Sequence, residues 1–171
     1  VRVRFRINGV MTERLTLRQL SLDDEQGVFA LRSNSQVNKY LNRQPSRTIE
    51  EARNFINNVI VNEAIYWAIT LNASETFVGT ICLFGFSDTN SKCEIGYELL
   101  SNFQGKGIMK EAASKVIEYA TQTMKIQTID AFTHKNNQGS TNLLEKLGFK
   151  KSKEPDKINP DFYTFTFSKE I

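Results

Sequence analysis

The 171-residue sequence predicts a mixed α/β (α+β) domain. Three segments rich in aromatic and β-branched residues follow one another with only short polar turns between them, as in an antiparallel meander. After them the apolar period lengthens to that of a helix, and helical and strand-like segments alternate to the end of the chain. Helices, then a meander, then a β-α-β-α-β run together predict one mixed α/β fold.

The first predicted elements are one strand and two helices. ERLTLRQL alternates as a strand, and SLDDEQGVFALRSN then predicts a helix capped by Ser21 or Asp23. In PSRTIEEARNFINNVIVNE, apolar residues recur at helical spacing. Thr48 followed three residues later by Glu51 is a capping-box signature, which predicts where this second helix begins.

The meander and the C-terminal half follow. YWAITLN, TFVGTICLFGF and CEIGYELL predict the three meander strands. A helix should begin near Ile108, because Ile108, Ala112, Val116 and Ala120 fall four residues apart. TIDAFTH, STNLLEKLGF and DFYTFTFS then predict a strand, a helix and a strand, and the glycine of EKLGF should end that helix in a left-handed conformation.

The composition fits one globular domain. Hydrophobic residues make up 40% and charged residues 24%, and 171 residues are enough to bury a sizeable core. No apolar run approaches the roughly 20 residues of a membrane helix and no signal peptide opens the sequence, so we expect a cytoplasmic protein without a membrane partner. Cys82 and Cys93 lack metal-ligand spacing, so we expect reduced thiols and no metal.

The net charge of +3 is concentrated at the start of the sequence. VRVRFRINGV holds three arginines and no acid, so the remaining residues sum to zero, which argues against a nucleic-acid partner. The same segment alternates apolar and arginine residues. We therefore expect residues 1–10 to be a tag, an upstream extension or an extra strand, and residues 11–171 to form a single domain.

The stretch SNFQGKGIMKEAASKVIEYA places two glycines where a helix begins. A helix N-terminus exposes unpaired N–H groups and carries about half a positive charge, so it attracts anions. Glycines remove the Cβ atoms that would hold a phosphate away. The spacing fits neither a Walker A loop nor a dinucleotide-binding motif. Alone, it predicts either a phosphate site or a tight strand–helix turn.

With its surroundings, this stretch resembles the GNAT superfamily of N-acetyltransferases, whose coenzyme A loop follows the pattern Q/R-x-x-G-x-G/A. TERLTLRQL, EEARNFI, CEIGYELLSNFQGKGIMKEA and NNQGSTNLLEKLGF follow in the order found in the ribosomal-protein N-terminal acetyltransferase (RimJ/RimL-like) branch. The resemblance covers residues 12–171. It implies an acyl-CoA N-acyltransferase fold, with a central mixed, mostly antiparallel sheet splayed at a β-bulge and flanked by helices. It also implies acetyl-CoA as co-substrate, and a homodimer as one expectation.

The resemblance further implies the contacts of coenzyme A. The backbone N–H groups after Gln104 would face the pyrophosphate, and the β-bulge at Leu99 and Leu100 would free backbone groups for the pantetheine arm and the thioester carbonyl. Asn137 matches a pantetheine-binding asparagine, and its alternative is a helix cap. The expected contacts are Leu99, Leu100, Gln104, Gly105, Lys106, Gly107, Ile108, Met109, Asn137, Ser140 and Asn142.

Acetyl transfer needs a neutral amine and therefore a proton acceptor, because α-amines have a pKa of about 7.7–8.0 and lysines of about 10.4. Glu94 matches the base of some family members. Glu98, four residues along the same strand face, could substitute, and either could instead be a solvent-facing strand residue. His134, the only histidine, is a third candidate as base or substrate contact, although a lone histidine is more often structural.

The leaving thiolate needs a hydrogen bond or a proton. Many superfamily members use a tyrosine, but this sequence has Leu144 at that position, which cannot donate. Ser140 matches a serine proposed to stabilise the thiolate in the RimL-like branch, although it also suits a helix N-terminus. The aromatic strand residues are expected in the core, with one or two lining the acceptor groove: Tyr66, Trp67, Phe84, Phe86 and Tyr97.

The predicted activity is direct transfer of the acetyl group of acetyl-CoA to a primary amine. The branch makes a protein N-terminal α-amine the first expectation, and a polyamine, an aminoglycoside-like drug or another small amine stays open because this fold hosts many acceptors. A non-catalytic coenzyme A sensor is a second class. The missing tyrosine at Leu144 favours it, and the presence of Glu94 and Ser140 counts against it.

Overall fold

Eight strands form one sheet in the order β1-β2-β3-β4-β5-β6-β8-β7 in the computed structural model, which describes residues 9–170. Every neighbouring pair is antiparallel except β5 and β6, which run parallel. The arginine-rich residues 1–8 lie outside the described part. The strands are β1 Val10–Met11, β2 Leu15–Gln19, β3 Ile65–Leu71, β4 Phe77–Phe84, β5 Lys92–Leu99, β6 Thr128–His134, β7 Lys150–Lys151 and β8 Phe162–Ser168.

Helices cover both faces of this sheet. Ala68 packs with residues of α1 and α3, whereas its neighbours Trp67 and Ile69 pack with residues of α4, because successive strand residues point to opposite faces. No helix within residues 9–170 is long and apolar enough to cross a membrane. The helices are α1 Glu25–Ser33, α2 Ser35–Asn38, α3 Ile49–Val61, α4 Ile108–Gln122 and α5 Gln138–Lys146.

Each predicted strand and helix is present, and two of the predicted helix signals have a clear physical form. The Thr48 hydroxyl caps α3 by accepting the N–H of Glu51 at 3.3 Å, but the Glu51 carboxylate accepts the N–H of Arg47 at 2.7 Å, one residue before the partner a capping box uses. Gly148 follows α5 with φ +89°, the left-handed stop that the sequence predicts. Ser21, rather than Asp23, caps the turn that leads into α1.

The parallel pair β5–β6 separates part-way along, as expected for a splayed sheet. Its backbone pairing covers only Lys92↔Thr128 to Glu94↔Asp130, although β5 continues to Leu99 and β6 to His134. The predicted β-bulge at Leu99–Leu100 is wrong: β4 and β5 keep one register from Phe84↔Glu94 to Gly79↔Leu99, and the register shift lies between β3 and β4. The strands therefore part because their pairing stops. We call the opening between residues 95–99 and 131–134 the β5–β6 gap.

Gly79 holds β4 against the strand that lines this gap. A Cβ at Gly79 would lie 2.2 Å from the carbonyl oxygen of Glu98 and 3.1 Å from Cα of Leu99, both backbone atoms. We expect Gly79→Ala to lower the free energy of unfolding by about 1–3 kcal/mol, because the strands must move apart. Gly96→Ala is the matched control, since its Cβ would meet only side-chain atoms at 3.2 and 3.3 Å. Urea denaturation measures both, and equal losses would contradict this account.

Candidate active site

The turn before α4 carries a run of unpaired backbone donors, which we call the anion loop (residues 105–110). Within residues 9–170, none of its six N–H groups donates to a protein acceptor, and the first helical bond runs from Glu111 N–H to the carbonyl of Gly107 at 3.1 Å. Gly105 and Gly107 have φ of +73° and +75°, and a Cβ on Gly105 would meet nothing within 4 Å. Alternating left-handed residues at a helix N-terminus form a cradle for an anion.

The structure places the predicted pyrophosphate contacts in this loop. Ile108 and Met109 turn their side chains into the core, where they are 5% and 7% exposed, so their N–H groups remain available while the side chains pack away. Met109 stands at the last position of the pattern Q/R-x-x-G-x-G/A, where the family has Gly or Ala, and its burial in the core explains how a larger side chain is accommodated there. The ammonium of Lys106 lies 5.7 Å from the ring centroid of Phe103, beside the loop.

Arg14, which no sequence motif singles out, holds the anion loop in place. Its Nη1 donates to the carbonyl of Lys106 at 3.0 Å, and its Nε donates to the Glu111 carboxylate at 2.8 Å. A Cβ on Gly107 would lie 3.5 Å from Nη2 of Arg14, so the guanidinium borders the cradle. No local signal could show this, because Arg14 and Glu111 are 97 residues apart.

Glu111 remains charged as it holds Arg14. Burial alone would raise its pKa, but hydrogen bonds from the Thr12 hydroxyl at 2.5 Å and from Arg14 lower the pKa below the ordinary value. For a carboxylate with a lowered folded-state pKa, the stabilisation is present at neutral pH and is lost only as the pH falls through that lowered value. The loop is therefore held at every pH near neutrality.

Arg14→Gln should weaken acetyl-CoA binding about tenfold, since it removes a charge beside the cradle and the hydrogen bond to the loop carbonyl. Calorimetric titration at low and high salt measures this, and the loss should shrink with salt as charges are screened. Arg53→Gln is the control, because Arg53 pairs with Glu25 between α1 and α3. Unchanged affinity in Arg14→Gln would remove Arg14 from the site.

The wall of the β5–β6 gap is formed by backbone groups of β5 that have few hydrogen-bond partners. Leu100 N–H donates to the Val78 carbonyl at 2.8 Å, so the alternation of an antiparallel pair turns the N–H and carbonyl of Leu99 away from β4 and toward the gap. Gln104 Nε2 donates to that Leu99 carbonyl at 2.9 Å. Gln104 therefore closes the end of the gap with its side chain. The edge of β5 beyond Glu94 is unpaired with β6, as an extended pantetheine arm would require.

Glu94 lies at the closed end of the gap, on the sheet face of α1 and α3, where β5 still pairs with β6. Burial first, and then the negative charge of Asp130, raises the pKa of Glu94 above its ordinary value, while Lys92 lowers it. Within residues 9–170 its carboxylate has no ion-pair partner at 4.0 Å or less. A partly desolvated, uncommitted carboxylate suits a general base.

The side chains of Glu98 and His134, unlike that of Glu94, already have partners among residues 9–170. Glu98, whose side chain is 10% exposed, pairs with Arg43 at 2.5 Å, so its charge is already matched by a guanidinium. His134 stacks on Tyr40 at 5.2 Å and meets Phe162 edge-on at 5.3 Å. Its Nδ1 accepts the N–H of Asn136 at 3.1 Å, which places the proton of the neutral ring on Nε2 and leaves no free lone pair. This geometry favours Glu94 over both.

The N-terminus of α5 closes the other side of the gap. Asn137 caps the helix by accepting the N–H of Ser140 at 3.2 Å, its alternative role, and within residues 9–170 its Nδ2 has no acceptor. The Ser140 hydroxyl hydrogen-bonds the Tyr97 hydroxyl at 2.6 Å. Asn142 accepts from Gln138 at 2.8 Å on the exposed side of α5, so its side chain is directed to its own helix. Leu144 is fully buried in the core.

The geometry therefore combines an anion cradle, a parted parallel pair and an uncommitted carboxylate, all within a region that matches a known family. The acetyltransferase (GNAT) domain matches residues 14–150. The chain belongs to the GNAT acetyltransferase family. It is an acetyl-CoA-dependent N-acetyltransferase, and the cradle and gap fit the pyrophosphate and pantetheine of that co-substrate.

Two of the following GNAT relatives are similar along most of the chain and the third along about a third of it. It is 34% identical over 145 residues to the uncharacterized N-acetyltransferase p20 of Bacillus licheniformis, covering 82% of this chain and 81% of that protein. The crystal structure of a GNAT acetyltransferase from Bacillus anthracis superposes with a TM-score of 0.85 at 26% identity, covering 94% and 98% of the two chains. The [ribosomal protein uS5]-alanine N-acetyltransferase of Escherichia coli is 41% identical over 59 residues, which is 34% of this chain and 30% of that enzyme.

Proposed function

We propose that this GNAT enzyme acetylates the N-terminal α-amine of a protein or peptide. The observation that carries the proposal is the composition of the sheet face around Glu94, which we call the acceptor face (Phe84, Glu94, Phe132 and His134). Phe84 is the direct cross-strand neighbour of Glu94, and Phe132 lies two residues beyond Asp130, the β6 partner of Glu94. An amine that approaches the gap from this side meets these side chains.

The acceptor face offers one uncommitted negative charge. The other carboxylates on β5, on β6 and just before β8 are paired: Glu98 with Arg43 at 2.5 Å, Asp130 with Lys92 at 2.8 Å and Asp161 with Lys135 at 2.7 Å. A polyamine carries several positive charges and gains from several free carboxylates. A peptide N-terminus carries a single amine, which one carboxylate can match.

The surroundings of Glu94 are apolar. Phe84 is 47% exposed and Phe132 is 45% exposed, an unusual setting for large aromatic side chains on a sheet. His134, with the rings of Tyr40 and Phe162 on either side, extends this apolar surface. Such a surface suits the side chain and backbone of an uncharged N-terminal residue. The uS5-alanine N-acetyltransferase among the relatives supports the same acceptor class.

The reaction follows from these groups. The amine loses its proton to Glu94, directly or through water, and its nitrogen attacks the thioester carbonyl. The new C–N bond forms, the C–S bond breaks, the electron pair of that bond leaves on the coenzyme A thiolate, and the second proton of the nitrogen passes to water as the amide forms. A backbone N–H on the unpaired edge of β5 polarises the carbonyl oxygen. Binding both substrates side by side raises the rate further, because the amine and the thioester are held at an effective concentration far above that in solution.

The test is thiol release from acetyl-CoA against a matched panel of acceptors. The panel pairs peptides with a free N-terminal alanine or serine with the same peptides blocked at the N-terminus but containing an internal lysine, and adds spermidine and an aminoglycoside. We expect turnover with the free N-termini and none with the blocked peptides. Mass spectrometry of the product identifies the acetylated nitrogen.

Each other outcome identifies a different acceptor or class. A higher kcat/KM for spermidine than for every peptide would overturn the proposal and make the enzyme a polyamine acetyltransferase. Turnover of blocked peptides would move the acceptor to the lysine side chain. Acetyl-CoA binding by calorimetry, with no turnover on any acceptor, would contradict the proposal and support the coenzyme A sensor.

A further inference from the structure

Three hydroxyl groups meet across the β5–β6 gap: Ser140, for which the family resemblance implies a contact with the thiolate, and Tyr97 and Thr133, which have no role described so far. Ser140 Oγ lies 2.6 Å from the hydroxyl of Tyr97 and 3.0 Å from Oγ1 of Thr133. Tyr97 comes from β5, Thr133 from β6 and Ser140 from the first turn of α5. We call these three side chains the hydroxyl trio.

The position of the hydroxyl trio is set by the parting of the two strands. The register that pairs Glu94 with Asp130 would, three residues further on, pair Tyr97 with Thr133. Backbone pairing has stopped by then, and the two side chains, on the same sheet face, both reach Ser140 instead. The hydroxyl trio therefore spans the gap in which the pantetheine arm would lie, three residues from the base candidate Glu94 and on the opposite face of the sheet.

Hydrogen counting shows what the hydroxyl trio can offer. Each hydroxyl has one hydrogen and two lone pairs, so three hydroxyls joined by two hydrogen bonds keep one hydrogen for an outside acceptor. Within residues 9–170, neither Tyr97 nor Thr133 has another side-chain hydrogen-bond partner. If both donate to Ser140, its oxygen is saturated as an acceptor and its single hydrogen points elsewhere.

The group that needs such a hydrogen is the leaving thiolate. The tyrosine that serves many superfamily members is replaced by Leu144, which lies one helical turn after Ser140 and is fully buried in the core. Burial raises the pKa of Tyr97 to about 12, although its hydrogen bond with Ser140 lowers it, so the phenol keeps its proton and can donate it to Ser140. A coenzyme A thiol can leave as a thiolate when a hydrogen bond stabilises the charge on its sulfur.

We propose that Tyr97 and Thr133 are positioning residues that orient the Ser140 hydroxyl so that it donates its hydrogen to the departing thiolate. This rests on the acetyl-transfer reaction proposed above. The C–S electron pair leaves on sulfur, Ser140 donates a hydrogen bond without giving up its proton, and the amine proton goes to Glu94. The thiolate takes a proton from solvent after release, so the step needs no further reactant.

The test uses a readout that needs no amine acceptor. Coenzyme A, without an acetyl group, is bound to the enzyme. The pKa of its thiol is then measured from the ultraviolet absorbance of the thiolate as the pH is raised. Bound coenzyme A should have a lower thiol pKa than free coenzyme A. Ser140→Ala should remove that difference, and Tyr97→Phe, which deletes only the hydroxyl, should reduce it. Tyr119→Phe is the matched control, because Tyr119 packs against Trp67 away from the gap.

Kinetics give the second readout once an acceptor is known. Ser140→Ala and Tyr97→Phe should each lower kcat about 10- to 100-fold, the worth of a hydrogen bond to a charged group, with the KM for acetyl-CoA nearly unchanged. The double variant should be no slower than Ser140→Ala, because Tyr97 acts through Ser140. Calorimetric binding of acetyl-CoA confirms that each variant is folded.

Several results would overturn the inference. They are a bound thiol pKa equal to that of free coenzyme A in the native enzyme, a native thiol pKa in Tyr97→Phe, or losses that multiply in the double variant. Because the thiol titration involves no acceptor, it decides this inference even if the acceptor panel contradicts the proposed function. Should Tyr97→Phe fail to fold, Thr133→Val decides it, since it should also reduce the lowering of the bound thiol pKa, and a native thiol pKa in this variant would overturn the inference.

Discussion

Replacing Gly107 with aspartate should abolish measurable acetyl-CoA binding, whereas replacement with asparagine should leave it detectable. Gly107 has φ +75°, a left-handed conformation that Asn and Asp tolerate better than other side chains. The two variants have nearly the same size and backbone cost, so they differ in charge alone. A unit charge about 4 Å from a phosphate charge costs about 4 kcal/mol at an effective dielectric constant of about 20, which is close to a thousandfold in affinity.

Calorimetry measures the affinity of Gly107→Asp and Gly107→Asn for acetyl-CoA and for coenzyme A. Urea denaturation checks that the two variants are equally stable. The same ratio between aspartate and asparagine should appear for both ligands, because both contain the pyrophosphate. Equal affinity in the two variants would show that the six free N–H groups of the anion loop face something other than phosphate. The loop would then be a tight strand–helix turn, and the coenzyme A site would have to be sought elsewhere.

The elements that the sequence predicts correctly are those whose signal is local. Helix α4 is an example, since the four-residue spacing from Ile108 to Ala120 becomes one buried face. The strand β7 escapes prediction because it is two residues long and exists only by pairing with a neighbouring strand. A segment that short has no period of its own.

The candidate site divides in the same way. The residues of the anion loop are contiguous in the sequence, so its two glycines and the start of the helix are enough to predict it. The contacts that hold or complete the site join residues far apart in the chain: Arg14 with Glu111, Glu98 with Arg43, and Tyr97 with Ser140. Tyr97 is a clear case. The alternation of CEIGYELL predicts an inward aromatic residue, but only the parting of β5 from β6 brings its hydroxyl to Ser140.

The displaced bulge has a related cause. Its expected place at Leu99–Leu100 came from family resemblance, whereas the register of a strand depends on both of its neighbours. Here β5 keeps its pairing with β4 through Leu99 and loses only β6. The outcome for the site is the same: an unpaired backbone edge of β5 beside the N-terminus of α4. This edge arises because the pairing of β5 with β6 ends, and not because an extra residue is inserted in the pairing of β5 with β4.

Glu94→Gln should lower kcat about 10²- to 10⁴-fold at neutral pH, the usual contribution of a general base. Glutamine keeps the size of the side chain and its place beside Phe84 and Asp130, so acetyl-CoA binding should be unchanged. Glu98→Gln, four residues along the same face, is the matched comparison. Its loss should be smaller, because the Glu98 carboxylate is already held by Arg43.

The pH dependence of kcat separates a base from a residue that merely supports the fold. Burial and Asp130 raise the pKa of Glu94, so the acid limb of the native profile should lie above the ordinary glutamate pKa of about 4.3, with activity rising as Glu94 loses its proton. Glu94→Gln should lose this limb and recover activity as the pH passes the α-amine pKa of about 7.7–8.0, where the acceptor is already neutral. An unchanged acid limb in Glu94→Gln, or a larger loss in Glu98→Gln, would move the base to Glu98 or to water.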